Sequence, residues 1–416
     1  MEMIETETIY LSSPRMSEEG YEFEYVKEAF TTNWIAPLGP NVTTFEKEFA
    51  EALGTYDATA LVSGTSAIHL ALKLVGVGEG IRPCDPNARD PRDDIVLCSS
   101  LTFAASVNPI VYQNATPVLI DSEWSTWNLD PKALKIALDK YKDKVKAVIV
   151  VHLYGLLADI DQILSICDEY GVPVIEDAAE SLGSTYDAYY YRAEGEAKRR
   201  WHDTPKRLYA GTAADIGCFS FNGNKIITTS GGGMLTGNNP DSAKEFCKKV
   251  RFWASQSREK TPWYQHEELG YNYRMSNVLA GIGRGQLKVL DRHIEAKKSI
   301  FEFFKERLEK TGMVRMMPVP EGVYPNYWLS CITFDDSSKV IKVFAKLDEN
   351  IISARPIWKP MHMQPFYHYC DFITAQPEGS MGEELFMSGL CLPSDINMGE
   401  RELERIVETI ANILVD

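Results

Sequence analysis

The chain has 416 residues, a net charge of −16, and 44% hydrophobic against 25% charged residues. That length allows two domains of ordinary globular composition. The acidic balance argues against nucleic acid as a main partner, and no apolar run approaches the roughly 20 residues needed to span a bilayer.

The start, "MEMIETETIYLSSP", is acidic and polar, unlike a signal peptide. The eight cysteines are Cys84, Cys98, Cys167, Cys218, Cys247, Cys331, Cys370 and Cys391, scattered without a C-x-x-C pair. Neither a metal site nor a disulfide framework is suggested, and reduced thiols in a cytoplasmic protein are expected.

Short β-branched runs then alternate with helical patterns. "ATALV" and "SGTSAIHLALKLVGV" read as strand, turn and amphipathic helix, "DIVLCSS" precedes "LTFAASVNPIVYQN", and "TPVLIDS" is a strand. "LDPKALKIALDKYK" predicts a helix with Asp130 as N-cap and Pro131 in its first turn. "KAVIVVHLYG" is a buried strand, "DIDQILSICDEYG" a helix ended by Gly171, and "VPVIEDAAES" the next strand. This β-α order implies an α/β fold with a mostly parallel sheet covered on both faces.

Near residue 290 the pattern changes. A long helix, "LDRHIEAKKSIFEFFKERLEKTG", is followed by the strand "NYWLSCITF", the helix "KVIKVFAKLDENI", "ELFMSGLCLP" and a final amphipathic helix. The expected division is a large α/β domain over 1–290 and a small C-terminal α+β domain over 291–416. Two segments read as insertions: 79–95, rich in Pro, Asp and Arg, and 186–213, which mixes aromatic and basic residues. The second is either an exposed excursion or a flap over an anionic substrate.

Three motifs carry the chemistry. Gly64, Thr65 and Ser66 lie between a strand and a helix, where backbone N–H groups attract anions. Neither a dinucleotide fingerprint nor a Walker loop is present, which counts against a nicotinamide oxidoreductase. Glu176 and Asp177 end an apolar strand, where a carboxylate faces the ligand crevice of a parallel sheet. Lys225 sits in "SFNGNKIITTSGGG" with Ser220, Asn222 and Asn224 before it and Gly231, Gly232 and Gly233 after it. A lysine, a strand-end carboxylate and a phosphate-binding turn match the needs of pyridoxal 5'-phosphate (PLP): an amine for its aldehyde, a carboxylate for its ring nitrogen, donors for its phosphate.

The order "GTSAIHLAL", "SSLTFAASVNPI", "EDAAESLGS", "GCFSFNGNKIITTSGGG", "LGYNYRMSN" resembles the DegT/DnrJ/EryC1/StrS family over nearly the whole chain. These are PLP-dependent transferases of fold type I, aspartate aminotransferase-like, most of them aminotransferases acting on nucleotide-linked keto-sugars. The resemblance implies that Lys225 is the catalytic lysine that condenses with the cofactor and shuttles the proton. It implies Asp177 on the ring nitrogen, Gly64, Thr65, Ser66 and Ser220 on the phosphate, and Phe103 stacked on the ring. Glu180, where many relatives have glutamine, is assigned to the cofactor edge near the phenolic oxygen. It further implies a homodimer, with Asn272 reaching the partner's cofactor phosphate. Some relatives carry histidine in place of the lysine and dehydrate instead; Lys225 favours transamination, with L-glutamate as donor.

Arg355, Trp358, Lys359 and His362 in "ARPIWKPMHMQ" combine charge with an aromatic plane, suited to a diphosphate and a base or sugar ring. Similar stretches occur in the UDP-N-acetylbacillosamine transaminase branch, which aminates C4 of UDP-4-keto-6-deoxy-N-acetylhexosamine. The alternatives are another PLP reaction, such as dehydration or amination of a non-nucleotide ketone, and a non-catalytic PLP-binding regulator.

Overall fold

The computed structural model describes residues 7–79, 90–193, 195–196 and 198–415. Two helices, α1 (Tyr21–Thr31) and α2 (Pro40–Leu53), precede the alternating region, which runs β1 (Asp57–Leu61), α3 (Gly64–Leu74), β2 (Ile95–Ser99), α4 (Ala104–Tyr112) and β3 (Thr116–Ile120). It continues through α5 (Pro131–Tyr141), β4 (Val145–Val151), α6 (Ile160–Tyr170) and β5 (Val174–Asp177). Then come the strands β6 (Thr185–Tyr191), β7 (Arg200–Tyr209), β8 (Ile216–Ser220) and β9 (Gly233–Gly237), with helices α7 (Ala243–Ala254), α8 (Asn277–Leu287) and α9 (Leu290–Leu308). The last part holds β10 (Val314–Met316), β11 (Val323–Tyr324), β12 (Ser330–Phe334), α10 (Ser338–Glu349), β13 (Arg355–Pro356), β14 (Phe372–Ile373), α11 (Met381–Ser388), β15 (Gly389–Leu392) and α12 (Glu400–Val415).

The helix signals act through ordinary capping. The Asp130 carboxylate accepts from the Lys132 N–H at 2.8 Å, and Gly171 closes α6 at φ 66°, a left-handed conformation that glycine adopts without strain.

The large sheet has the order β1-β9-β8-β5-β4-β2-β3-β14, and β9 alone runs against the others. Period-two alternation feeds two cores. In β4, Val148 and Val150 pack on one face with Phe45, Phe49 and Leu164, while Ala147 and Ile149 pack on the other with Ile68, Val107 and Trp253. Strands buried on both faces read as continuous apolar runs, which is why β4 was legible. The strand order reverses between β4 and β2, and such switch points open the ligand crevice at the carboxyl ends of the strands.

A second sheet, β10-β12-β15-β13, packs with α9, α10 and α12 around Phe304, Val343, Leu347 and Ile406. The chain crosses the division expected at residue 290 in both directions. Ile9 bridges Ile352 and joins the small core, while β14 pairs with β3 and β11 with β6.

The 186–213 segment is a hairpin, β6 and β7, whose last strand is mostly exposed. Asp161 secures its base, accepting from the backbone N–H groups of Tyr189 (2.6 Å) and Tyr190 (3.1 Å). Arg199 ties it to Asp168 and Asp215. Of the other insertion, 80–89 lies outside the described residues, and Pro91–Asp93 forms a 3-10 turn. The seven described cysteines are free thiols; Cys84 lies outside the described residues. No described helix is long and apolar enough to cross a membrane.

Candidate active site

A cavity of about 380 Å³ opens where β2, β4, β5 and β8 end. Asp177 lies at the end of β5 and Ser220 at the end of β8, with Thr102 and Phe103 just beyond β2. Lys225 enters from the loop between β8 and β9.

One wall is the start of α3. Ser63 caps the helix: its hydroxyl accepts from the Ser66 N–H at 3.0 Å, while the Ser66 hydroxyl donates to the Ser63 carbonyl at 2.7 Å. The capping box leaves Gly64 and Thr65 facing the cavity. A helix N-terminus offers unpaired N–H groups and a positive dipole end, a setting for phosphate. Gly233 makes the turn possible: a Cβ there would lie 2.3 Å from the Ser63 carbonyl carbon.

The floor is Asp177, fully buried. Its Oδ2 accepts from the Ser106 hydroxyl at 2.6 Å and its Oδ1 from the Ala179 N–H at 3.1 Å. Burial pushes its carboxyl upward, and the Ser106 and Ala179 bonds together with Lys225 and His152 pull it back.

The Lys225 Nζ stands 3.4 Å from Glu180 Oε1 and 4.1 Å from the centre of the Trp328 ring. Its side chain is 12% exposed. The Trp328 indole N–H donates to the Asn224 carbonyl at 2.7 Å, fixing the residue before the lysine. Glu180 also accepts from the Tyr154 N–H at 2.7 Å. Tyr154 is buried at φ 56°, a conformation that bulky residues adopt only under constraint. Its hydroxyl accepts from the Trp358 N–H at 3.0 Å, so one residue ties Glu180 to Trp358.

Burial pushes Glu180 up to about 7, against the pull of Lys225. A carboxyl raised by folding binds its proton more tightly in the native state, so stability falls as pH rises from the unfolded value near 4.5 towards 7. Glu180→Gln removes that slope. Between pH 5 and 8 the cofactor-free wild type is expected to lose roughly 2–3 kcal/mol relative to the variant. Urea unfolding of both proteins at the two pH values measures the difference.

Gly64, Thr65, Phe103, Asp177, Glu180, Ser220, Lys225 and Trp358 thus share one cavity. Ser66 does not line it, because the capping box consumes its hydroxyl. Arg355 is exposed on the strand β13, donating to the Ala354 carbonyl at 2.7 Å. The His362 ring is held between the Ser100 hydroxyl (2.7 Å) and Glu383 (2.9 Å) and stacks on Phe372. Lys359 lines an adjoining cavity of about 600 Å³ that shares Thr102, Phe103 and Trp358 with the first. Asn272 is exposed and lies away from this chain's own cavity. No described residue of the 186–213 hairpin lines either cavity, so within one chain it is an excursion rather than a flap.

Sequence reasoning missed Thr102, Ser106, Tyr154 and Trp328. A hydroxyl four residues after another in "LTFAAS" was a signal for the first two; nothing local marks Trp328, which arrives from the chain beyond residue 290.

A phosphate, an aldehyde and a pyridine nitrogen each find a chemical partner on these walls: the α3 N-terminus, the Lys225 amine and the Asp177 carboxylate. The donor set fits PLP, and the fold and site define a PLP-dependent aminotransferase. The chain belongs to the DegT/DnrJ/EryC1/StrS aminotransferase family, whose pattern matches residues 16–411. It is 47% identical over 408 residues to EpsN of Bacillus subtilis (strain 168), provisionally described as a pyridoxal phosphate-dependent aminotransferase; the match covers 97% of this chain and 95% of EpsN. It is 33% identical over 410 residues to the GDP-perosamine synthase of Caulobacter vibrioides, covering 98% of each. The crystal structure of the aminotransferase TlmJ from Streptoalloteichus hindustanus superposes with a TM-score of 0.81 at 25% identity, covering 98% of this chain and 99% of TlmJ.

Proposed function

We propose that the protein moves an amino group from L-glutamate to C4 of a nucleotide-linked 4-keto-6-deoxy sugar, in amino-sugar and surface-glycan biosynthesis. The substrate we assign is UDP-4-keto-6-deoxy-N-acetylhexosamine. The observation that carries this reading is Trp358, from the "ARPIWKPMHMQ" stretch, standing between the Lys225 cavity and the larger one beside it. The second space leaves room for the nucleotide while the sugar meets Lys225.

When bound, PLP supplies an electron sink and carries the amino group from donor to acceptor. The protein does the rest. Gly64, Thr65 and Ser220 hold the phosphate. Asp177 keeps positive charge on the ring nitrogen, and Phe103 sets the tilt of the ring. Glu180 meets the cofactor edge. Lys225 moves a proton between the two carbon atoms that exchange hydrogen in each half of the reaction, so one amine serves both halves.

The acting form is a homodimer in the cytoplasm, with Asn272 completing the partner's site. Exposed Trp34, Ile35, Leu38, Trp263, Tyr264 and Leu269 support an apolar interface.

The test supplies [15N]glutamate and PLP with the UDP-linked or the GDP-linked 4-keto-6-deoxy sugar, and reads 15N in the product by mass spectrometry. Label in the UDP-linked product is expected. Label only in the GDP-linked product would move the assignment to the nucleotide named in the Caulobacter relative. No transfer to any keto-sugar would overturn the proposal.

A further inference from the structure

Two hydroxyls below the cofactor wall have no role in the reading above. Thr102 and Ser106 are both buried and both line the Lys225 cavity. Thr102 lies just before the extended N-cap Phe103 and Ser106 in the first turn of α4, and the turn of the chain between them brings the two hydroxyls together. Between them Phe103, the residue preceding the helix, is exposed. The Ser106 hydroxyl donates to Asp177 Oδ2 at 2.6 Å, and the two hydroxyl oxygens are 2.7 Å apart. Ser106 has one hydroxyl proton and spends it on Asp177. The bond between the hydroxyls must therefore run from Thr102 to Ser106. The result is a chain of donors, Thr102 to Ser106 to Asp177, in which each bond polarises the next.

We propose that Ser106, oriented by Thr102, is a positioning residue that holds the Asp177 carboxylate ionised and aimed at the ring nitrogen of PLP. The inference rests on the pairing of Asp177 with that nitrogen. It gives the start of α4 two tasks: Phe103 for the face of the ring and Ser106 for its nitrogen, through Asp177.

The physical need is clear from the surroundings. Asp177 is buried among apolar strands, and a buried carboxylate without donors takes up a proton. The groups facing it are Lys225 from the loop after β8, His152 from the end of β4, the Cys98 thiol on β2, the Cys218 thiol on β8, and Glu180 three residues further on. Lys225 is committed to the aldehyde when PLP is bound. The hydroxyl chain is the contribution to Asp177 that remains beside the Ala179 N–H and His152. A protonated Asp177 would share its proton with the ring and leave the nitrogen without full positive charge.

The experiment compares wild type, Ser106→Ala, Ser106→Thr, Thr102→Val and Asp177→Asn, all carrying Lys225. Two readouts precede any turnover: PLP affinity as a function of pH, by fluorescence titration of the cofactor-free protein, and the pH titration of the absorbance of bound PLP. Ser106→Ala is expected to weaken PLP binding about tenfold and to raise the acid-side pH midpoint of binding by about one unit. Ser106→Thr, which restores the hydroxyl, is expected to return both towards wild type. Thr102→Val is expected to shift them the same way by less. If Asp177→Asn moves both readouts and neither Ser106→Ala nor Thr102→Val does, the hydroxyl chain has no such role. If Asp177→Asn also leaves both unchanged, the pairing of Asp177 with the ring nitrogen fails, and this inference with it. Should Ser106→Ala not fold, Thr102→Val and Ser106→Thr carry the same comparison.

Discussion

Replacing Lys225 by alanine is expected to abolish amino transfer and, in the same variant, to remove the site at which borohydride fixes PLP to the protein. The wild type treated with PLP and borohydride should carry the label on the peptide containing Lys225; the variant should carry none there. The geometry gives a second signature that needs no cofactor. The Lys225 Nζ is the cation beside Glu180, at 3.4 Å, and Glu180 is buried. Without it the Glu180 carboxyl, already pushed up to about 7 by burial, rises further. At pH 5 Glu180 is protonated in both proteins and stability should change little. At pH 8 the wild type holds a carboxylate paired with Lys225, while the variant must either leave that carboxylate unpaired or take up a proton to neutralise it, so the variant is expected to be less stable by about 1–3 kcal/mol. Retained turnover would refute the assignment of Lys225, and equal stability losses at both pH values would refute the pairing with Glu180.

The second large effect is expected from Gly233→Ala. A Cβ at that position would lie 2.3 Å from the Ser63 carbonyl carbon and 2.5 Å from the Gly64 nitrogen, both backbone atoms. Neither can turn aside as a side chain would. Gly233 is paired on both sides, with Leu61 in β1 and Ser220 in β8, so the strand cannot slide away. The added methyl must push the Ser63–Gly64 turn outward, against the cap that starts α3. Overpacking of this kind costs about 1–3 kcal/mol or more, and the displaced N–H groups are those that would meet phosphate. Reduced stability in urea and weaker PLP binding are expected together. The control is Gly231→Ala, where no atom lies within 4 Å of the added Cβ; its stability should stay within about 0.5 kcal/mol of wild type. A stable Gly233→Ala protein that binds PLP normally would show that the turn relaxes more easily than backbone contacts allow.

The legible parts of the fold were those with a local cause. "KAVIVVHLYG" could be read because a strand buried on both faces has no polar interruption, and α5 because Asp130 and Pro131 mark its start. The antiparallel pairs β6–β7 and β8–β9 were not legible. Their residues are aromatic, basic or small, and their pairing is decided by partners far along the chain, as Gly233 with Leu61 and Ser220. Helices α1 and α2 gave weak local signals and gain their burial against α8, over 200 residues away.

The site divides in the same way. The residue types at Gly64, Thr65, Phe103, Asp177, Glu180, Ser220 and Lys225, set at strand ends and turns, carry the chemistry in the sequence itself, because each has a local backbone reason to face the crevice. Ser66 misled because a turn serine serves equally well as a phosphate donor or a cap, and only the bonded geometry separates the two. Arg355 and His362 stand apart from both cavities of this chain, because charge and aromaticity mark a segment without saying which of its side chains turn inward. What the sequence by itself determined is the PLP-dependent family and the α/β order, since both rest on short runs of neighbouring residues. Only the tertiary structure decided that Trp328 covers Lys225, that Tyr154 joins Glu180 to Trp358, and that Ser106 reaches Asp177. Those contacts join residues from 26 to 204 positions apart, or are set by packing between elements, and no local pattern records where such partners meet.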